Sequence, residues 1–242
     1  MSELEELIRN TPPLKLERVF FTVEQLRAIP QQKLKEFGLL PQYPSPVDID
    51  AFAEKIAKVE YRYDLPADTQ GVTLFTPFGI PSIFLSATLE EDSSVQGNRK
   101  FRFLTAHEAA HALVHDPLFK AACSQTNVLQ YGYACYAGNP FYSRLDGIKD
   151  YSRYKWIEYQ ANAIAAGLLM PWCHLMGVYA YVIEEALRQR RMGNPYEKVR
   201  AELPSFFENC VQDTFNVSTS VAHIEVRDFL RARTEEIERL LR

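Results

Sequence analysis

The chain has 242 residues, 47% of them hydrophobic and 24% charged, with a formal net charge of -4. That length can bury a core without disulfide or metal staples, and the acidic balance leaves no footprint for general nucleic-acid binding. Cys123, Cys135, Cys173 and Cys210 lack CxxC spacing and so indicate neither a disulfide framework nor a zinc ribbon; with no apolar leader and no apolar run of the ~18–20 residues that span a bilayer, a cytoplasmic location is expected.

Residues 1–46 are punctuated by Pro12, Pro13, Pro30, Pro41, Pro44 and Pro46 and read as an N-terminal extension. Within it one amphipathic helix is expected from Thr22, as N-cap, to Phe37, ended by Gly38. A second helix follows over 48–58, with Ile49, Phe52, Ala53, Ile56 and Ala57 at helical spacing. Strands are expected at 59–63, 71–76 and 82–86, the last two joined by the turn-rich run Pro77 to Pro81. Residues 90–98 read as a loop. A helix is expected from Arg99 to His115, stopped by Asp116-Pro117, with Phe103, Ala106, Ala110 and Leu113 as its core stripe. Residues 117–150 read as an irregular insertion. A strong helix over 152–169 stops at Pro171, and three more are expected at about 174–191, 205–215 and 219–241. The run Arg188-Gln189-Arg190-Arg191 reads as a solvated helix end. The organisation is α+β: an extension (1–46), a domain over 47–172 and a helical C-terminal region (173–242).

The chemistry concentrates in His107-Glu108-Ala109-Ala110-His111. At 3.6 residues per turn the two histidines lie about 40° apart around a helix and one turn along it, so both imidazoles can point at one atom. Zinc takes such nitrogens at about 2.0–2.1 Å in a tetrahedron and, in catalytic sites, keeps its fourth position open for water. Glu108, about 100° around from His107, can reach that water without competing for the metal. His115 lies one turn beyond His111. Each turn rises about 5.4 Å, so three successive turns of a straight helix do not converge on one ion. His115 is therefore read as a supporting residue, a substrate contact or a helix-end cation.

A third protein ligand is required. Glu158 is the favoured candidate. Asn162 lies one turn from it on the same face, and Ala161 and Ala165 beside them permit a close helix approach. Asn162 is positioned to accept a ligand histidine's Nδ1–H. Asp116, Asp146 and Asp150 remain competing carboxylates, the last two within the irregular insertion.

Read together, these residues resemble the ImmA/IrrE family of zinc metallopeptidases over roughly 47–172. Phe101-Arg102-Phe103-Leu104-Thr105-Ala106-His107-Glu108-Ala109-Ala110-His111 looks like the family's R-F-T-x-A-H-E-x-G-H segment, with Ala110 in place of Gly. Glu158-Tyr159-Gln160-Ala161-Asn162-Ala163-Ile164-Ala165 to Met170-Pro171 is similar to its E-x-x-A-N-x-F-A-x-x-L-L-M-P segment, with Ile164 in place of Phe. The run 212–218 and the helix after it are weakly similar to the family's helix-turn-helix-like section; no amino-terminal helix-turn-helix domain is recognised. The resemblance implies a zincin-like fold, a small mixed sheet over the HExxH helix whose edge strand binds extended substrate. It implies Zn²⁺ held by His107, His111 and Glu158, and Glu108 activating a water for peptide hydrolysis. It also implies a narrow protein substrate, commonly a helix-turn-helix repressor controlling a mobile element or a stress response, with no membrane partner.

An oxyanion partner is needed as well. His115, His174, His223, Tyr151, Tyr154 and Tyr159 are candidates, and the role is not assigned. Two rival readings are a zinc-binding sensor or regulatory partner with little turnover, and a structural zinc whose fourth position Cys123 or Cys135 closes.

Overall fold

The computed structural model describes residues 19–65, 69–126, 131–136 and 155–241, with the backbone alone at 125, 126, 131–136 and 155. The readings that fell on Asp146, Asp150, Tyr151 and Tyr154 lie outside the described residues. The chain forms two compact units, one of Met1–Leu39 with Asp48–Leu168 and one of Leu40–Val47 with Leu169–Arg242. The segment read as an extension thus contributes to both.

The first unit is mixed α and β. Its α1 (Val23–Glu36) starts in a capping box: Gln25 N donates to Thr22 Oγ1 at 3.3 Å, and Thr22 N donates to Gln25 Oε1 at 2.8 Å. Gly38, at φ 69°, takes the left-handed conformation that ends it. In α2 (Ile49–Ile56) Asp48 is the N-cap and accepts from Ala51 N at 3.0 Å, while Ile49, Phe52 and Ala53 are buried.

Among the described residues four strands follow: β1 (Lys58–Arg62), β2 (Thr69–Phe75), β3 (Ser82–Ser86) and, later in the chain, β4 (Tyr131–Tyr136). Their order is β1-β3-β2-β4. β1 runs parallel to β3, and β2 runs antiparallel to both β3 and β4. β2 and β3 are buried along most of their length, as strands in the middle of a covered sheet should be, whereas every position of the edge strand β1 is exposed or half-buried.

Both flanks of the helix that carries the motif differ from the expectation. The expected loop at 90–98 contains the end of a short helix, α3 (Ala87–Glu90), and the start of α4 (Val95–Val114). Ser94 caps α4 by accepting from Gly97 N at 2.9 Å, and Asp92 Oδ1 accepts from Ser94 N at 3.0 Å. A Cβ at Gly97 would lie 2.2 Å from the Asp92 carboxyl, so glycine makes this tight start possible. Asp116-Pro117 does end α4, with His115 as C-cap, but it opens α5 (Asp116–Thr126) at once. Proline is tolerated in a first helical turn because its missing N–H has no intrahelical partner there. The expected irregular insertion therefore begins with a helix and contains β4.

The face expected to be the core stripe of α4 also needs correction. Phe103 and Leu113 are only partly buried, while every residue from Leu104 to Ala112 is buried. The central turns of α4 are covered all round, so the His/Glu face lies inside the protein.

α6 (Lys155–Leu169) supplies the other half of the site. Ile157, Ala161, Ile164, Ala165 and Leu168 are fully buried. Near its end, a Cβ on Gly167 would come within 2.8 Å of Pro30 Cγ, so the absent side chain is what admits α1.

The second unit is helical: α7 (Trp172–Arg191), α8 (Tyr196–Phe215), α9 (Thr219–Arg231) and α10 (Thr234–Leu241). α8 begins nine residues before the expected 205 and carries Pro204 in its interior. The helix expected over 219–241 breaks at 232–233. There the Arg233 guanidinium lies 4.0 Å from the Phe229 ring centroid and 5.1 Å from that of Trp172, inside the unit's aromatic cluster. Asn216 (φ 51°) closes α8 in the left-handed region, and Ser218 caps α9, making a tight helix-turn-helix connection. Arg188 pairs with Glu185, and Arg190 donates to Leu241 O and Asn194 O, so part of the basic run is spent on structural contacts. Among the described residues no single helix is long and apolar enough to cross a membrane.

Candidate metal centre

His107, His111 and Glu158 each present a ligand atom, and these atoms lie within 4.8 Å of one another. His107 Nε2 and His111 Nε2 are 3.0 Å apart. Glu158 Oε2 is 3.4 Å from His107 Nε2, and Glu158 Oε1 is 3.5 Å from His111 Nε2. A tetrahedral ion with bonds of ~2.0–2.1 Å separates its ligand atoms by about 3.3–3.4 Å. The triangle of two nitrogens and the carboxylate, each of whose oxygens faces one ring, thus has nearly the separations such an ion requires.

The surroundings reinforce the fit. Relative exposure is 1% for His107, 0% for His111 and 5% for Glu158. His107 Nδ1 lies 3.1 Å from Asn162 Oδ1. With the amide oxygen accepting, Nδ1 carries the proton of the neutral ring, the form that binds a metal, and Nε2 then turns a lone pair toward the triangle. Glu158 Oε1 is buried and lacks a hydrogen-bond partner among the described residues. Two inward imidazole nitrogens and a buried carboxylate make an electron-rich group that a cation would neutralise.

Burial favours neutral forms throughout the cluster, and the neighbours decide the balance. In the metal-free fold burial opposes the charge on Glu158, but the pull of His107 and His111 in their protonated forms outweighs it and holds the carboxyl well below the usual carboxylate range. For His107 burial is likewise outweighed, here by Glu158, and its pKa rises; for His111 burial prevails and its pKa falls.

Glu108 stands beside this triangle, fully buried. Thr73 Oγ1, on β2, donates to Glu108 Oε2 at 2.6 Å, while Glu108 Oε1 has no hydrogen-bond partner among the described residues. A Cβ on Gly71 would sit 2.7 Å from Glu108 Oε1 and 2.9 Å from its Cγ, so the strand leaves room for the side chain by having none of its own. Burial pushes the Glu108 carboxyl up to about 7, against the attraction of His107 and the Thr73 hydrogen bond.

His115 is outside the triangle. It caps α4, is 1% exposed, and places Nδ1 3.0 Å from His111 Nδ1. Burial lowers its pKa to about 3, which keeps the ring neutral. Asp116 pairs with Lys120 at 2.7 Å. Cys123 is buried, and burial raises its thiol pKa, which disfavours the thiolate a metal needs. Tyr159 is 59% exposed. His174 and His223 belong to the second unit, where His174 donates to Pro41 O and His223 pairs with Glu208.

Thr73, Gly71 and Gln160 were not singled out by sequence reasoning. A hydroxyl at the centre of a buried strand is a usable signal, because a buried polar group demands a partner. Gln160 gives no such signal, since α6 alone does not disclose what it faces.

Comparison with protein-family models, curated proteins and solved structures produced no match. What the geometry defines is an α+β unit with a buried group of two histidines and one carboxylate that can hold a metal ion.

Proposed function

We propose that this chain is a zinc-dependent endopeptidase of the ImmA/IrrE type. The observation that carries the reading is the convergence of His107, His111 and Glu158 on one ion-sized space beside a carboxylate that is not among them, Glu108. A divalent ion bound there supplies a Lewis acid that polarises a carbonyl and brings the pKa of water from 15.7 toward ~7. His107, His111 and Glu158 would hold the ion through three positions, and a catalytic zinc keeps its fourth for water. Glu108 takes the proton of the attacking water and returns it to the leaving amine. A carboxyl that titrates at about 7 in the metal-free fold is well matched to both transfers. Thr73 holds Oε2, leaving Oε1 for the proton.

The resemblance to ImmA/IrrE sequences supports a narrow protein substrate, for which a helix-turn-helix repressor is the first candidate. Incubating the zinc-loaded chain with the repressor encoded nearest to it, and identifying products by mass spectrometry, tests this. Cleavage by the wild type and none by Glu108→Gln, with zinc retained, is the expected result. Full activity in Glu108→Gln would reject the role given to that carboxylate.

The near-complete burial of the four site residues favours one rival, a zinc-binding regulatory partner with little turnover. A repressor that co-purifies with the zinc-loaded chain and stays intact would support that reading instead.

A further inference from the structure

A polar chain leads away from the triangle on the side opposite the ion-sized space. His111 Nδ1 lies 3.0 Å from His115 Nδ1. His115 Nε2 lies 3.1 Å from Gln160 Oε1. Gln160 Nε2 lies 2.8 Å from the backbone carbonyl of Val19. His115 is 1% and Gln160 4% exposed, and Trp156 meets the His115 ring edge-on with centroids 6.1 Å apart.

Proton positions along this chain follow from its far end. A backbone carbonyl only accepts, so the Gln160 amide must turn its NH₂ to Val19 and its oxygen to His115. An amide oxygen also only accepts, so His115 carries its proton on Nε2. Its Nδ1 is then an acceptor, and the proton between the two rings belongs to His111 Nδ1. That leaves His111 Nε2 unprotonated and aimed at His107 and Glu158.

We infer that His115, Gln160 and the Val19 carbonyl form a relay that fixes the tautomer and orientation of His111, making His115 and Gln160 positioning residues for the metal. This rests on the metal-site reading but not on peptidase turnover. The relay also ties the backbone ahead of α1 to the centre, since Val19 and Gln160 are 141 positions apart in sequence. Asn162 performs the corresponding task for His107 in a single step. Partners that orient a ligand imidazole are typically worth about 10–100-fold in metal affinity.

The test is chelator-competition titration of zinc into the full chain and its variants, alongside ¹⁵N spectra of histidine-labelled protein with and without zinc. His115→Leu removes the acceptor and should weaken zinc binding roughly 10–100-fold. His115→Asn, whose side-chain oxygen can stand where Nδ1 stood, should recover most of the loss. Gln160→Met should also weaken binding and serves if His115→Leu does not fold. In the wild type, His115 should be protonated at Nε2 and not at Nδ1 in both spectra. A His115 protonated at Nδ1, or equal zinc affinity in His115→Leu, His115→Asn and wild type, would overturn the relay. Loss of peptide cleavage with the relay spectra and affinities as expected would count against the proposed peptidase alone.

Discussion

Thr73 Oγ1 donates to Glu108 Oε2 across 2.6 Å, joining the middle of β2 to the second residue of the HExxH motif. The bond favours the ionised carboxylate, so it opposes the upward push that burial exerts. Thr73→Val keeps the shape of the side chain and deletes that donor. The Glu108 pKa should rise further, and the acidic limb of the pH–rate profile for peptide cleavage should move to higher pH. An unmoved limb would mean that the bond does not tune this group.

Gly71 faces the same carboxylate from the strand. A methyl group there would overlap Glu108 at Oε1, Cγ and Cδ, at 2.7, 2.9 and 3.0 Å. Gly71→Ala should displace the Glu108 side chain while leaving the three ligands in place. Peptide cleavage should fall by on the order of 100-fold, as expected for a misplaced catalytic group, with zinc stoichiometry unchanged. Parallel activity and metal assays decide this.

In the metal-free protein Glu108 also makes stability depend on pH. Its folded pKa of about 7 exceeds the ordinary value of 4.5. The stability associated with its protonated form is therefore complete below about 4.5 and is lost as pH rises through about 7. Glu108→Gln cannot ionise, so above pH ~7 it should exceed the metal-free wild type by up to roughly 3 kcal/mol, and near pH ~4 the two should converge. Urea unfolding over that range would contradict the account if the two proteins followed the same curve.

Gly167 and Pro30 test the packing that supports α6. A Cβ at 167 would lie 2.8 Å from Pro30 Cγ and 3.2 Å from its Cβ. Overpacking of this kind costs typically about 1–3 kcal/mol. Gly167→Ala should lower the unfolding free energy by that amount. An unchanged midpoint would show that α1 and α6 separate without cost.

Much of the site was legible because helical spacing is local information. Residues 107 and 111 must share a helix face once the helix exists, and Glu158 and Asn162 share one for the same reason. Thr22 and Gly38 likewise announced helix ends through short-range capping chemistry. The misses depended on partners distant in sequence or on a competing local geometry. The sequence could not place β4 beside β2, because strand pairing is non-local. Pro117 reads as a stop although it opens a helix, and the helix expected from about 205 begins at Tyr196 and carries Pro204 inside it. Gly97 concealed a helix start because its value lies in the room it leaves for Asp92. The relay from His111 to Val19 joins residues from three parts of the chain, and no segment alone points to it.

The central claim is that His107, His111 and Glu158 share one metal ion. X-ray absorption at the zinc edge, on protein loaded with one equivalent of zinc, tests it most directly. The account predicts two imidazole nitrogens with oxygen donors and no sulfur, and loss of stoichiometric zinc in Glu158→Ala. A sulfur donor bound to the ion, or zinc retained at full affinity in Glu158→Ala, would contradict it.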